Sequence, residues 1–290
     1  SIGFIIAMTT GAAIYDPQLM GTVGKFLGIH ATLTQETTMR FPLYMTFGLA
    51  VCAFITTLKM EDPRVQKTES DIRSHPVKEA FSLTFKAGIW ILKTPFALSV
   101  ILFGMLFDGI IRMVITLSSQ YYRMIELPEA VFGLIGALVA GLGFIVPKTA
   151  KKIAETRSSA TGLWLTCALT ATGLVTMNLF WPYAGLIPAL ITFAAMYFNG
   201  FFVSFHINKV TSSAQRATVL SFKGLSYNIS YGLLGILYAL AIKAKKQGLS
   251  GEQIEDLAFV ETFFWFPLVF AGTFVCLLIF HRIAFRSDGR

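Results

Sequence analysis

Charge is scarce in this sequence. Asp, Glu, Lys and Arg make up 14% of its 290 residues, against about 25% in an ordinary soluble domain. With 54% of residues hydrophobic and a mean hydropathy of +0.65, one soluble core could not hide the apolar surface, and the remainder would drive aggregation. Cysteine is rarer still. Cys52, Cys167 and Cys276 stand far apart inside apolar runs, with no CxxC or Cys/His spacing that would hold a metal or frame a disulfide network. They read as small buried hydrophobes. The four histidines, His30, His75, His206 and His281, are scattered and make no His-rich metal box. No Walker A loop, Asp-rich pair or Gly-x-Ser-x-Gly elbow is present. ATP hydrolysis and integral-membrane catalysis are therefore not expected, and neither is a metal or other cofactor. The chain opens on Ser1-Ile2 without a charged segment ahead of its first apolar run, so a signal peptide is not expected. That run, Ile2 to Tyr15, covers only ~21 Å as a helix, short of the roughly 20 residues a crossing needs. The expectation is a sequence that begins inside a longer protein.

What fills the chain is long apolar segments. Eight are read, at about 2–23 (its end blurred by Asp16-Pro17), 41–59, 95–118, 128–147, 160–179, 182–205, 217–242 and 259–281. Most approach 20 residues, too long and too uniformly apolar for soluble strands. The ~10-residue alternation of a membrane β-barrel is missing. Gly and Pro occur inside the segments as membrane helices allow. The expected fold class is all-α, a polytopic transmembrane helix bundle.

The net charge of +8 does not point to nucleic acid, because the Lys and Arg fall between apolar runs and not on one soluble face. With residue 1 inside, 17 of the 24 basic residues lie on the inner side: seven from Lys59 to Lys93, then Lys148, Lys151, Lys152, Arg157, Lys209, Arg216, Lys223, Arg282, Arg286 and Arg290. Lys25, Arg40, Arg123, Lys243, Lys245 and Lys246 lie outside, and Arg112 lies within a span. The asymmetry predicts a cytoplasmic C-terminus in an integral, multi-pass protein of the plasma (inner) membrane. One long polar connection, 60–94, divides the chain into 1–59, 60–94 and 95–290. Within it Pro76 is placed to open a helix. Lys78, Ser82 and Lys86 share one face, while Val77, Phe81, Phe85 and Trp90 fall elsewhere, the pattern of a basic helix lying on the inner membrane surface.

Two short stretches carry a family resemblance. Gln215-Arg216-Ala217-Thr218-Val219-Leu220-Ser221 follows a short inner loop and runs into an apolar helix. It resembles the R-A-T-x-x-S opening of the eleventh helix in drug and sugar exporters of the major facilitator superfamily. Pro147-Lys148-Thr149-Ala150-Lys151-Lys152-Ile153 stands where that family's second-half inner-loop motif falls, although no acidic residue occupies the motif's Asp position. The resemblance implies two helices of a first half, a cytoplasmic linker and a complete six-helix second half. It also implies four further helices of the same chain ahead of Ser1, without which transport is not expected. Its implied function is secondary active transport of a small solute by alternating access, ion (proton) coupled. A permease of this kind binds its substrate near the midplane. Lys148, Lys151, Lys152 and Arg216 are the implied inner-loop and gating residues. A channel or a non-transporting scaffold is the alternative, with an integral-membrane enzyme behind it.

The residues expected to line a substrate or proton pathway are the polar ones within the spans, since charge there is costly unless paired or functional. Asp108 and Arg112 are four apart on one helix face, ~20 and ~26 Å from Pro95 by helical rise. Either Asp108 changes protonation or partner during transport, or the pair statically locks the helix into the bundle. Gln120 follows with Tyr121, Tyr122 and Arg123; tyrosines at such an end are membrane-interface anchors or part of a gate. Asn199 is the deepest of a second group with Ser204, His206 and Asn208; it bonds a substrate or a neighbouring helix. His206 is a solvated interfacial histidine or a proton relay. Tyr227, Asn228 and Tyr231, with Ser226, form a third group, lining a cavity or bonding between helices. Gly133, Gly136, Gly141 and Gly143 make helix 128–147 smooth, and Ala137 with Gly141 has small-xxx-small spacing.

Overall fold

In the computed structural model, residues 2–26, 28, 33–58, 76–247 and 254–284 are described. Among them every regular element is helical. In chain order they are α1 (Ile2–Tyr15), α2 (Pro17–Phe26), α3 (Gln35–Thr38), α4 (Phe41–Leu58), α5 (Pro76–Lys93), α6 (Pro95–Thr116) and α7 (Ser118–Met124). Then come α8 (Phe132–Thr156), α9 (Ser159–Met177), α10 (Leu186–Val210), α11 (Ser213–Gln247), α12 (Ile254–Phe263) and α13 (Trp265–Ala284). Seven helical stretches, at 35–58, 95–116, 129–156, 159–177, 186–210, 215–247 and 254–283, are long and apolar enough to cross a membrane. With large apolar side chains such as Phe47, Leu134 and Leu233 exposed on their faces, the chain reads as a multi-pass membrane protein.

Seven, not eight, because the first segment is broken. Asp16 leaves the helix and its Oδ1 accepts from the backbone N–H of Gln18 (2.7 Å) and Leu19, capping a new helix that Pro17 opens. Other boundaries also move. α8 continues past Pro147 to Thr156, so Lys148, Lys151 and Lys152 stand on a helix end where a loop was expected. α11 runs 35 residues. The last segment is interrupted at Phe264, between α12 and α13, where Pro267 has no N–H to give the Phe263 carbonyl. Cys52 and Cys276 are exposed and Cys167 half-buried, contrary to their reading as buried; on a lipid-facing surface a small thiol has no need of a core. Of the connection 60–94, residues 60–75 (His75 among them) lie outside the described part, as do His30, Lys59, Arg286, Arg290 and the Lys78 side chain.

The chain forms two compact units, Ser1–Glu79 with Pro128–Gly141, and Ala80–Leu127 with Leu142–Arg290. In the first, α1 packs on the glycine face that opens α8. A Cβ at Gly133 would collide with Ala12, and one at Gly136 with the Met8 side chain. Gly141 faces open space, so the close approach uses Gly133 and Gly136, not the pair Ala137 and Gly141. Thr38 seals the other end by donating to the Tyr15 carbonyl at 2.8 Å.

In the second unit α6 is central, with thirteen buried residues along its 22, and α9, α10, α11 and α13 pack around it. It is thus the helix best shielded from lipid, and well placed to hold a charge. α5 does open at Pro76, but its Ala87 and Ile91 are buried with Ala97, Ile101 and Val203, while Phe81 and Phe85 are exposed. One edge therefore belongs to the bundle. At the opposite end from α5, Tyr121 and Tyr122 are buried and are not surface anchors. Tyr121 stacks on Phe263 and donates to the Gly185 carbonyl at 3.1 Å. Phe180 packs edge-on against Phe263 and takes φ of 43°. That left-handed conformation costs roughly 1–2 kcal/mol for a bulky residue, held here by the aromatic packing around it.

Candidate functional site

α6 carries the charge. Asp108 and Arg112 form an ion pair along one face, the Asp108 side chain only 5% exposed and that of Arg112 30%. α11 supplies what surrounds them. Arg112 Nη1 donates to Asn228 Oδ1 at 2.8 Å, and its guanidinium lies 5.4 Å from the Tyr231 ring centre, within cation–π range. The Tyr231 hydroxyl in turn meets the Thr116 hydroxyl at 3.0 Å. Asp108 and Arg112 on α6, with Asn228 and Tyr231 more than a hundred residues on, thus form one polar strip between two helices.

The strip continues along α11. Tyr227 lies one turn from Tyr231, buried, with its hydroxyl seated over Gly104 of α6 so closely that any Cβ there would collide with it. Asn199, from α10, donates Nδ2 to the Gly104 carbonyl at 3.2 Å. Glycine at 104 therefore lets three helices meet: it removes the side chain and leaves the carbonyl reachable. Gly109 and Ser230 repeat the device one and a half turns on, where Ser230 donates to the Met105 carbonyl at 3.1 Å and a Cβ at Gly109 would crowd it.

Lys223 extends the strip beyond what the sequence indicated. The charge pattern puts it beside an inner connection; in the structure it lies within α11, half-buried. Its Nζ donates to Ser204 Oγ at 3.1 Å and stands 5.4 Å from the Tyr227 ring centre, and its charge acts on Asp108. The strip thus holds one carboxylate and two cations, a balance that favours an anionic or electron-rich visitor. The missed signal was spacing: Lys223, Tyr227 and Tyr231 recur every four residues, one helical face.

No family model, curated protein or solved structure matches this chain. The functional reading therefore rests on the residues themselves.

Other expected residues lie outside the strip. Gln120 is half-buried on α7. Lys148, Lys151 and Lys152 are exposed on the last turns of α8, where Lys151 pairs loosely with Glu155 at 3.9 Å. Arg216 is exposed in the first turn of α11. His206 is not simply solvated: it is half-buried between Phe96 and Phe205, edge-on to both, and with His281 it lines a cavity of about 210 Å³ bounded by α6, α9, α10 and α13. His281 Nδ1 lies 2.8 Å from Ser99 Oγ. Nothing in the sequence flagged that pairing, which joins residues 182 apart.

Proposed function

We propose that this protein is a secondary active transporter of a small solute, working by alternating access and driven by an ion (proton) gradient. Its helices would be arranged as in the major facilitator superfamily, in the plasma (inner) membrane, with the C-terminus cytoplasmic. The observation that carries this reading is the Asp108–Arg112 pair, its carboxylate buried within a span and its guanidinium bridged to the neighbouring helix by Asn228. A charge at such depth costs several kcal/mol unless it is paired or used. Arg112 is held by contacts it can exchange one for another: a carboxylate, an amide oxygen and an aromatic face. A pair that only locked two helices would be served as well by apolar packing of the same volume. Lys223, held on α11 in the same strip by Ser204, offers Asp108 a second cation when α11 moves against α6. Partner exchange of this kind is how a proton or a charged solute is coupled to rearrangement.

The test is counterflow in proteoliposomes of the full gene product, against a panel of sugars, organic acids, amphiphilic drugs and lipids. A carrier gives saturable uptake accelerated by solute on the far side. Asp108→Asn is expected to abolish the response of uptake to an imposed pH gradient while leaving exchange. Unchanged coupling in that variant removes Asp108 from the mechanism, and flux that never saturates indicates a pore.

A further inference from the structure

A long groove runs between α6, α11 and α13. Two hollows of about 280 and 250 Å³ make it up, and Ile110, Leu234, Leu237 and Val269 line both, so the two are continuous. Leu106 and Leu277 extend its walls at one end, and Tyr238, Thr262 and Trp265 stand at the other. No lining residue carries a charge. Leu237 and Val269 are exposed on its flank, a surface that meets lipid in a membrane-spanning chain. Leu106 and Ile110 stand two residues to either side of Asp108, half a turn from it on α6. None of Asp108, Arg112, Lys223 and Tyr227 lines the groove. Ser230 lines it and touches the strip, but its hydroxyl is already given to the Met105 carbonyl.

The groove's length fits one leaflet. From Ser230 to Ala241 its α11 wall runs ~16 Å by helical rise, about half of the roughly 30 Å hydrocarbon core. One end has a polar stop. Tyr238 is stacked on Phe266, ring centres 5.8 Å apart, and its buried hydroxyl pairs with no group among the described residues. The neighbouring Thr262 hydroxyl is spent on the Ala258 carbonyl at 2.6 Å. A buried hydroxyl without a partner is costly, and an acceptor lying in the groove would satisfy it. Lys243 follows five residues on, ~7.5 Å by helical rise. The hydroxyl therefore stands just below the charged end of α11, where hydrocarbon gives way to the interface. We propose that the groove holds one acyl chain of a membrane diacyl phospholipid, the chain against the aliphatic walls and its ester carbonyl accepting from Tyr238. Leu, Ile and Val walls take an aliphatic chain through burial alone. The ester carbonyl is the acceptor nearest the chain, and it carries no charge into the groove. A free fatty acid would bring a carboxylate to an end whose lining holds no cation, a costly burial.

The experiment follows the fluorescence of Trp265, at the groove's polar end, in the full gene product carrying Trp90→Phe, Trp164→Phe and Trp181→Phe. In detergent micelles, a phosphatidylcholine brominated near the ester end of its chains is expected to quench Trp265 saturably. Native mass spectrometry of the wild-type protein is expected to show a retained phospholipid. Unlabelled ester-linked phosphatidylcholine is expected to compete about 5-fold better than its ether-linked analogue, which lacks the carbonyl and so loses roughly one hydrogen bond. Tyr238→Phe is expected to weaken the ester lipid by the same factor and leave the ether lipid unchanged, a difference that a merely structural effect would not produce. Ala241→Phe, at a lining position, is expected to fill the groove and abolish saturable quenching, with Leu234→Phe as the second filler should the first not fold. Asp108→Asn is expected to leave lipid binding intact, so failure here and failure of the transport reading are separable. Quenching that never saturates, equal competition by ester and ether lipids, tighter binding of palmitate or cholesterol than of the phospholipid, or quenching that a filled groove leaves unchanged would overturn the proposal.

Discussion

Replacing Arg112 by glutamine probes whether the buried carboxylate depends on its partner. Asp108 is 5% exposed in its side chain, so removing the cation leaves a desolvated charge, a change that costs about 3–5 kcal/mol. Lys223 acts on the same carboxylate, which sets the expectation at the lower end, ~3 kcal/mol. The reverse substitution, Asp108→Asn, strands far less. Arg112 is 30% exposed and keeps the Asn228 oxygen and the Tyr231 ring, so the expected loss is about 1 kcal/mol, that of one hydrogen bond. The double variant has no unpaired anion and is expected to fall near Asp108→Asn alone. The shortfall from additivity is a coupling of about 3 kcal/mol, at the upper end of the range for contacting pairs. The assay is reversible unfolding of the full gene product in micelles by detergent titration. Additive losses, or a larger loss for Asp108→Asn than for Arg112→Gln, would refute the reasoning.

Three further outcomes follow from the packing. Gly104→Ala is expected to cost ~2 kcal/mol by overpacking against the Tyr227 hydroxyl and Val203, and Tyr227→Phe is expected to recover part of that loss in the same unfolding assay. Gly133→Leu is expected to destabilise the α1–α8 contact through the Ala12 clash, whereas Gly141→Ala, facing open space, is expected to gain about 0.5–1 kcal/mol of helix preference. Burial pushes the Tyr122 phenol up from 10 to about 12, and raises that of Tyr121 too. A raised folded value means this contribution is complete below pH 10 and is lost as pH rises from 10 through 12. Alkaline titration of the melting temperature is therefore expected to fall in that window, and less steeply in Tyr122→Phe.

The all-helical character was legible because hydrophobic run length is a local property: seven of the eight apolar segments correspond to helices long enough to cross a membrane. The exception turned on one side chain, Asp16, whose capping bonds compete with continuing the helix. Asp108 and Arg112 were also legible, since four-residue spacing alone brings them together. What α11 and α10 bring to them was not. The seating of Tyr227 over Gly104 and the bond from Asn199 to the same carbonyl depend on how helices pack, which a single glycine in an apolar run does not announce. The pairing of Ser99 with His281 is harder still, because the two lie near opposite ends of the second unit's sequence. Tyr121 and Tyr122 misled for the same reason: amphipathic residues at a helix end look like interface anchors until tertiary aromatic packing buries them.

The central claim is that the strip on α6 and α11 opens to the two sides of the membrane in turn. It is tested most directly by cysteine accessibility. Cys52, Cys167 and Cys276 are first replaced by alanine, and Ser204 and Thr116 are then changed to cysteine singly and together. Impermeant maleimide applied to each side of sealed vesicles is expected to reach Ser204→Cys from one side only and Thr116→Cys from the other, with conditions that raise one reactivity lowering its counterpart. Both positions reacting freely from both sides at once, or both from the same side, would contradict the account.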